Sequence, residues 1–102
     1  MRASQMILSF YHEGTEDIFN RKNSQAARNI YPASLWRVAQ RKLDQLNAAV
    51  SLPSLAIPPG NRLEALGRER RGQHSIRINE QYRICFKWTE EGADRVEIVD
   101  YH

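Results

Sequence analysis

The spacing of apolar residues changes character along the chain, and each change marks an element. Met6-Ile7-Leu8-Ser9-Phe10 is a short, mostly apolar run and predicts an opening strand. Residues 1–5 read as an extension ahead of it, and Thr15 is placed to cap a short helix through Asn20. From about Leu35 to Ser51, the residues Leu35, Ala39, Leu43, Leu46 and Val50 recur at three- and four-residue spacing. Ser34 stands where an N-cap belongs, just after Pro32, while Arg37, Arg41 and Asp44 take the opposite side. This pattern predicts an amphipathic helix covering a sheet with one face.

Between Leu52 and Asn61, three prolines and a glycine exclude regular structure. Leu63 to Leu66 predicts a brief strand, and Gly67-Arg68-Glu69-Arg70-Arg71-Gly72 a mobile basic loop between two glycines. The last third predicts a β-meander: His74 to Asn79, Tyr82 to Trp88 and Arg95 to Tyr101 are rich in β-branched and aromatic residues. Alternation sets Ile76 and Ile78 on one side of their strand and Ile84, Phe86 and Trp88 on one side of the next. Pairing Ile78 with Ile84 aligns these sets, places Asn79 opposite Arg83, and leaves Glu80-Gln81-Tyr82 as the turn. The other side then displays Ser75, Arg77, Arg83, Cys85 and Lys87 as an open cationic face. The expectation is one α+β domain over residues 1–102.

Charge sharpens this picture. From Arg62 to Lys87 there are seven Lys or Arg residues (Arg62, Arg68, Arg70, Arg71, Arg77, Arg83, Lys87) against Glu64, Glu69 and Glu80. A local excess of four positive charges favours a polyanionic partner, the alternative being a solvated basic loop. The single cysteine, Cys85, excludes an internal disulfide and has no evident histidine partner for nucleophilic work. No Cys/His cluster has metal-ligand spacing, so neither a metal nor another cofactor is expected. Apolar stretches fall far short of the ~20 residues that span a bilayer. Glu13, Glu16 and Asp17 come too early for a signal-peptide core, which points to a cytoplasmic protein with no membrane role.

Several segments, in order, resemble a known family. Pro58-Pro59-Gly60-Asn61-Arg62-Leu63-Glu64-Ala65-Leu66, Gly72-Gln73-His74-Ser75-Ile76-Arg77-Ile78-Asn79, Tyr82-Arg83-Ile84-Cys85-Phe86 and Val96-Glu97-Ile98-Val99-Asp100-Tyr101-His102 are similar to the HigB-type toxins among the RelE-like ribonucleases. Ile7-Leu8-Ser9-Phe10 and Arg41-Lys42-Leu43-Asp44-Gln45-Leu46 match as well. The resemblance implies two N-terminal helices on a twisted antiparallel sheet. It also implies ribosome-dependent mRNA cleavage and neutralisation by a HigA-type antitoxin, through which alone operator DNA is contacted.

Carried over by position, Arg83 matches the family's strand arginine, and Asp100, Tyr101 and His102 match its terminal acid, tyrosine and histidine. Glu64 stands where some relatives have histidine, and Gly67 where lysine is common, with Arg68 or Arg70 available to supply that charge. Metal-free RNA cleavage needs a base for the 2′-OH, an acid for the leaving oxygen, and cations for the transition state. Arg83 suits the cationic role, or else is a surface arginine paired with Glu97 or Glu80. His102 suits proton transfer, with histidine's ordinary pKa near 6.5. Asp100 is placed to orient it or only to cap the strand end, and Tyr101 to stack on a base or to pack. Glu64 is the rival proton acceptor or a loop-anchoring ion-pair partner. His74 shares the parity of Ile76 and reads as structural. Arg62, Arg68, Arg70, Arg71, Arg77 and Lys87 form the expected RNA- and ribosome-binding set. The competing functions are a non-catalytic RNA- or ribosome-binding domain and an interaction protein acting with a DNA-binding partner.

Overall fold

The computed structural model describes residues 6–100. In chain order it runs through β1 (Met6–Ile7), α1 (Glu13–Phe19), α2 (Gln25–Ile30), α3 (Trp36–Ala48), β2 (Glu64–Ala65), β3 (His74–Arg77), β4 (Tyr82–Thr89) and β5 (Gly92–Asp100), with short 3-10 turns between. The expected α+β class and terminal meander are present. Residues 1–5, read as an extension, lie outside the described part.

The sheet has the order β1-β5-β4-β3-β2. It is mixed rather than antiparallel, because β1 runs parallel to β5. The meander returns β5 to the helices in the direction in which the chain first entered. Gly92 permits this closure: its φ is +141°, and a Cβ there would collide with the Met6 backbone. Among the described residues there are three α-helices. Ser24 caps α2 by accepting from the Ala27 N–H at 3.0 Å.

Two helix expectations need correction. The N-cap of α1 is His12, and Thr15 lies inside the helix. Its buried hydroxyl instead accepts from the Ile98 N–H at 3.2 Å, joining α1 to the sheet. The helix predicted to start after Ser34 begins at Trp36 and ends at Ala48, with Ala49 extended at ψ 132°. That extension carries Val50 off the apolar stripe, leaving it 66% exposed. Ala39, Leu43 and Leu46 are fully buried and pack in one core with Ile18, Ile76, Ile84 and Phe86.

The β3–β4 register also differs from expectation. Ile76, not Ile78, faces Ile84, and Arg77 faces Arg83. The cause is a turn displaced by one residue, Asn79-Glu80-Gln81, closed by the Ile78 N–H donating to the Tyr82 carbonyl at 3.0 Å. In it the Asn79 side chain accepts from the Gln81 and Tyr82 N–H groups at 2.9 and 2.8 Å. A slip of two residues preserves strand parity, so the predicted faces survive it. His74 lies on the core side, stacked on Phe86 with a 6.4 Å centroid separation, as its parity implied.

Leu46→Ala should lower the unfolding free energy by about 2–5 kcal/mol, the usual cost of truncating a buried leucine. Val50→Ala should stay within about 0.5 kcal/mol of the parent. Chemical denaturation monitored by tryptophan fluorescence checks both, and equal losses would contradict the observed end of α3.

Candidate active site

The far side of the sheet is not the open face that alternation predicted. Ser75 and Cys85 are fully buried there, and Arg83 is only 8% exposed. The segment after the proline-rich stretch reaches this face at the Arg62 carbonyl, which contacts Arg83. Asn61 anchors it: fully buried, its amide donates to the Gln45 side chain and the Leu55 carbonyl, both at 3.0 Å. Its side-chain oxygen accepts from the Lys42 ammonium, and burial holds the Lys42 pKa below the ordinary lysine value.

Arg62 follows in a left-handed conformation, φ 47°, and its carbonyl accepts from the Arg83 guanidinium at 2.6 Å. Arg83 also donates through Nε to Ser75 Oγ at 2.7 Å. Glu64 Oε1 lies 3.7 Å from Arg83. The alternative reading of Arg83 as a surface arginine does not hold: its guanidinium is buried and engages backbone, hydroxyl and Glu64.

Strand register places Glu64 across from Ser75, Ser75 across from Cys85, and Cys85 across from Glu97. One row thus crosses four strands, with a carboxylate at each end and small buried side chains between. Arg83 engages the Glu64 end, and Arg70 engages the Glu97 end at 2.9 Å. The basic loop is a 3-10 turn, Arg68–Arg70, that sends Arg70 inward while Arg68 and Arg71 remain exposed.

Beside the Glu64 end lies a cleft of about 330 Å³ lined by Arg62, Glu64, Arg77, Asn79, Glu80 and Arg83. Arg77 and Arg83 are direct cross-strand neighbours within it. Like charges so placed repel, and an anion between them relieves the repulsion. Glu64 is about half exposed, so it reaches both Arg83 and solvent.

The other predicted site residues are scattered around this cleft. Lys87 is exposed farther along β4, opposite Asp94. Asp100 pairs with Tyr82 at the end of β5, on the parity of Ile98 rather than of Arg83 and Val99. Its carboxylate accepts from Gln81 Nε2 at 3.1 Å. Tyr101 and His102 lie outside the described residues. Sequence reasoning missed Asn79 and Glu80 as lining residues; their place in a turn between two candidate strands was the available signal. Among the described residues, no group of three or more His, Cys, Asp and Glu is arranged to hold a metal. None of the described helices is long and apolar enough to cross a membrane.

These features define a class: a small α+β protein whose helices cover one sheet face while arginines line a cleft on the other. Residues 8–102 match the model of the HigB-like toxins, described as RelE-like toxins of the type II toxin–antitoxin system HigB, and the chain belongs to that family. It is 36% identical over 85 residues to Toxin HigB-1 of Vibrio cholerae serotype O1, spanning 83% of this chain and 86% of the relative. It is also 40% identical over 57 residues to an uncharacterized protein of Haemophilus influenzae, 56% of each chain. Membership makes the protein a type II toxin and implies an antitoxin partner.

Cys85 offers a direct check of the covered face. Burial pushes its thiol up to about 11, from an ordinary 9.0. The native thiol should resist Ellman's reagent at pH 8 and react only on unfolding. Between about pH 9 and 11 the unfolded chain ionises this thiol while the native one does not, so it should reduce stability as pH rises through that window. Rapid stoichiometric labelling of folded protein would mean that the face is open after all.

Proposed function

We propose that the protein is a ribosome-dependent mRNA endoribonuclease that inhibits translation, acting in the cytoplasm and restrained by a HigA-type antitoxin. Operator DNA is reached only through that antitoxin. The observation that carries this reading is the Arg77–Arg83 cross-strand pair, joined by Arg62 in one cleft. Three guanidiniums match the oxygens of a phosphodiester and stay charged at any physiological pH. Family membership supports the same reading.

In the proposed reaction, the ribose 2′-oxygen attacks the adjacent phosphorus, and the bond from phosphorus to the 5′-oxygen breaks. A 2′,3′-cyclic phosphate and a 5′-hydroxyl result. Arg83 and Arg77 stabilise the charge that gathers on the phosphoryl oxygens, where preorganised cations are most effective. Arg83 is the more preorganised, because Ser75 and the Arg62 carbonyl fix its plane. Glu64, at the cleft rim, accepts the 2′-OH proton. His102 delivers a proton to the leaving oxygen, with Asp100 and Tyr101 assisting at the chain end. The nucleophile comes from the RNA and the positive charge from arginine, so this scheme uses no metal. Arg68, Arg71 and Lys87, which are exposed, extend the contact to ribosomal and messenger phosphates, while Arg70 is held inward by Glu97.

Single-turnover cleavage of ribosome-bound mRNA, with chelator present, tests the scheme. Arg77→Ala should slow cutting while largely sparing ribosome binding, because it removes charge stabilisation that grows in the transition state. Glu64→Gln and His102→Ala should each cost ~10²–10⁴-fold if they carry protons. Full activity in all three would reject these roles. Ribosome binding without cleavage by the parent protein would favour a non-catalytic binding domain, and loss of cutting on chelation would reject the metal-free route. Ribosome affinity should also fall steeply with salt.

A further inference from the structure

A second cleft, of about 270 Å³, opens at the Glu97 end of the transverse row, lined by Tyr11, Glu69, Arg70, Gln73, Arg95 and Glu97. We infer that it seats one unpaired RNA base beside the scissile position, stacked on the Tyr11–Arg95 pair. That the ligand is RNA rests on the ribonuclease reading; that the seat suits a flat, uncharged group rests on the cleft itself.

Its charges cancel, since Arg70 and Arg95 face Glu69 and Glu97. The first cleft instead has three arginines against two carboxylates. A phosphate therefore favours the first, and a neutral π-system loses nothing in the second. The volume lies just below the ~300 Å³ where small-molecule sites begin, which suits a single planar ring.

The stacking pair is built by the backbone. Between Cys85 and Lys87, β5 carries one more residue than β4, and at this bulge Arg95 adopts φ 55°. A left-handed arginine is uncommon, and here it aims the side chain at Tyr11. The Arg95 carbon Cζ lies 5.7 Å from the centre of the Tyr11 ring. The Tyr11 N–H donates to the Val96 carbonyl at 2.8 Å, and Val96 N–H to the Ser9 carbonyl at 3.0 Å. His12 stands edge-on to the ring at 5.5 Å. Tyr11 is nevertheless 57% exposed, so a ring carried on backbone tied to β5 remains accessible. Aromatic rings and guanidinium planes are the usual stacking partners of unpaired bases. Glu64 and Glu97 are separated by three strand spacings, ~14 Å, so one extended strand of RNA can touch both clefts.

The test combines protein variants with ribosome-bound mRNA carrying an abasic nucleotide, scanned across positions flanking the cut. Tyr11→Ala should reduce single-turnover cleavage roughly ten- to hundredfold. Arg95→Gly, which keeps the left-handed backbone without strain, should act in the same direction, and Tyr11→Phe should recover most of the loss. At one position the abasic nucleotide should slow the parent by the same factor yet leave Tyr11→Ala no slower than before. Additive losses at every position, or undiminished cutting by Tyr11→Ala, would overturn the seat. Fluorescence anisotropy of a short 2′-fluoro oligoribonucleotide, which lacks the nucleophile, separates this inference from the ribonuclease reading. Tyr11-dependent binding by a parent protein that cuts nothing would keep the seat and discard the ribonuclease. Normal cutting with Tyr11-independent binding would do the reverse.

Discussion

A guanidinium cannot lose its charge, so burying one in a sheet obliges the surrounding chain to supply acceptors. Arg83 imposes that condition on this fold. Ser75 answers from the neighbouring strand, and Glu64 from the edge strand. The backbone carbonyl of Arg62 must be turned inward as well. That last requirement accounts for the left-handed Arg62 and for the buried Asn61 just before it, which ties the same segment to α3. The helix layer and the cationic cleft are thereby linked through one short stretch of chain. Removing the Arg83 charge would leave several acceptors unpaired, so its worth to folding and to function cannot be separated by a single substitution.

Much of this was legible in the sequence because strand alternation and helical periodicity are strong, local signals. Ala39, Leu43 and Leu46 declared the buried face of α3, and the parity of Ile76, Ile84 and Phe86 declared the core side of the sheet. The register was misjudged by one pleat because aligning Ile78 with Ile84 satisfies alternation equally well. What decided between the two was hydrogen bonding by Asn79 in the turn, which no hydrophobic pattern contains. Val50 shows the same limit, since periodicity continues past the point where the backbone has already left the helix.

The candidate site was legible as a composition and not as a geometry. The arginines of residues 62–83 were evident, but the covering of Ser75 and Cys85 depends on contacts between distant segments. Arg70 seemed part of a mobile loop, yet a carboxylate 27 residues away draws it inward. Tyr11 and Arg95 are farther apart still, and a bulge brings them together. Such juxtapositions arise from sheet order, and a linear reading has no direct access to them.

The parallel pairing of β1 with β5 also bears on how the molecule assembles. Met6 meets Gly92, so the first described strand finds its place only when nearly the whole chain exists. The β3–β4–β5 meander can form from near neighbours, whereas this last pairing must close a loop through all three helices, an entropically slow event. Until it closes, one edge of β5 presents unpaired backbone groups, the usual template for unwanted strand association. The chain is thus most vulnerable while it is being made, and this edge is safe only when β1 has met β5.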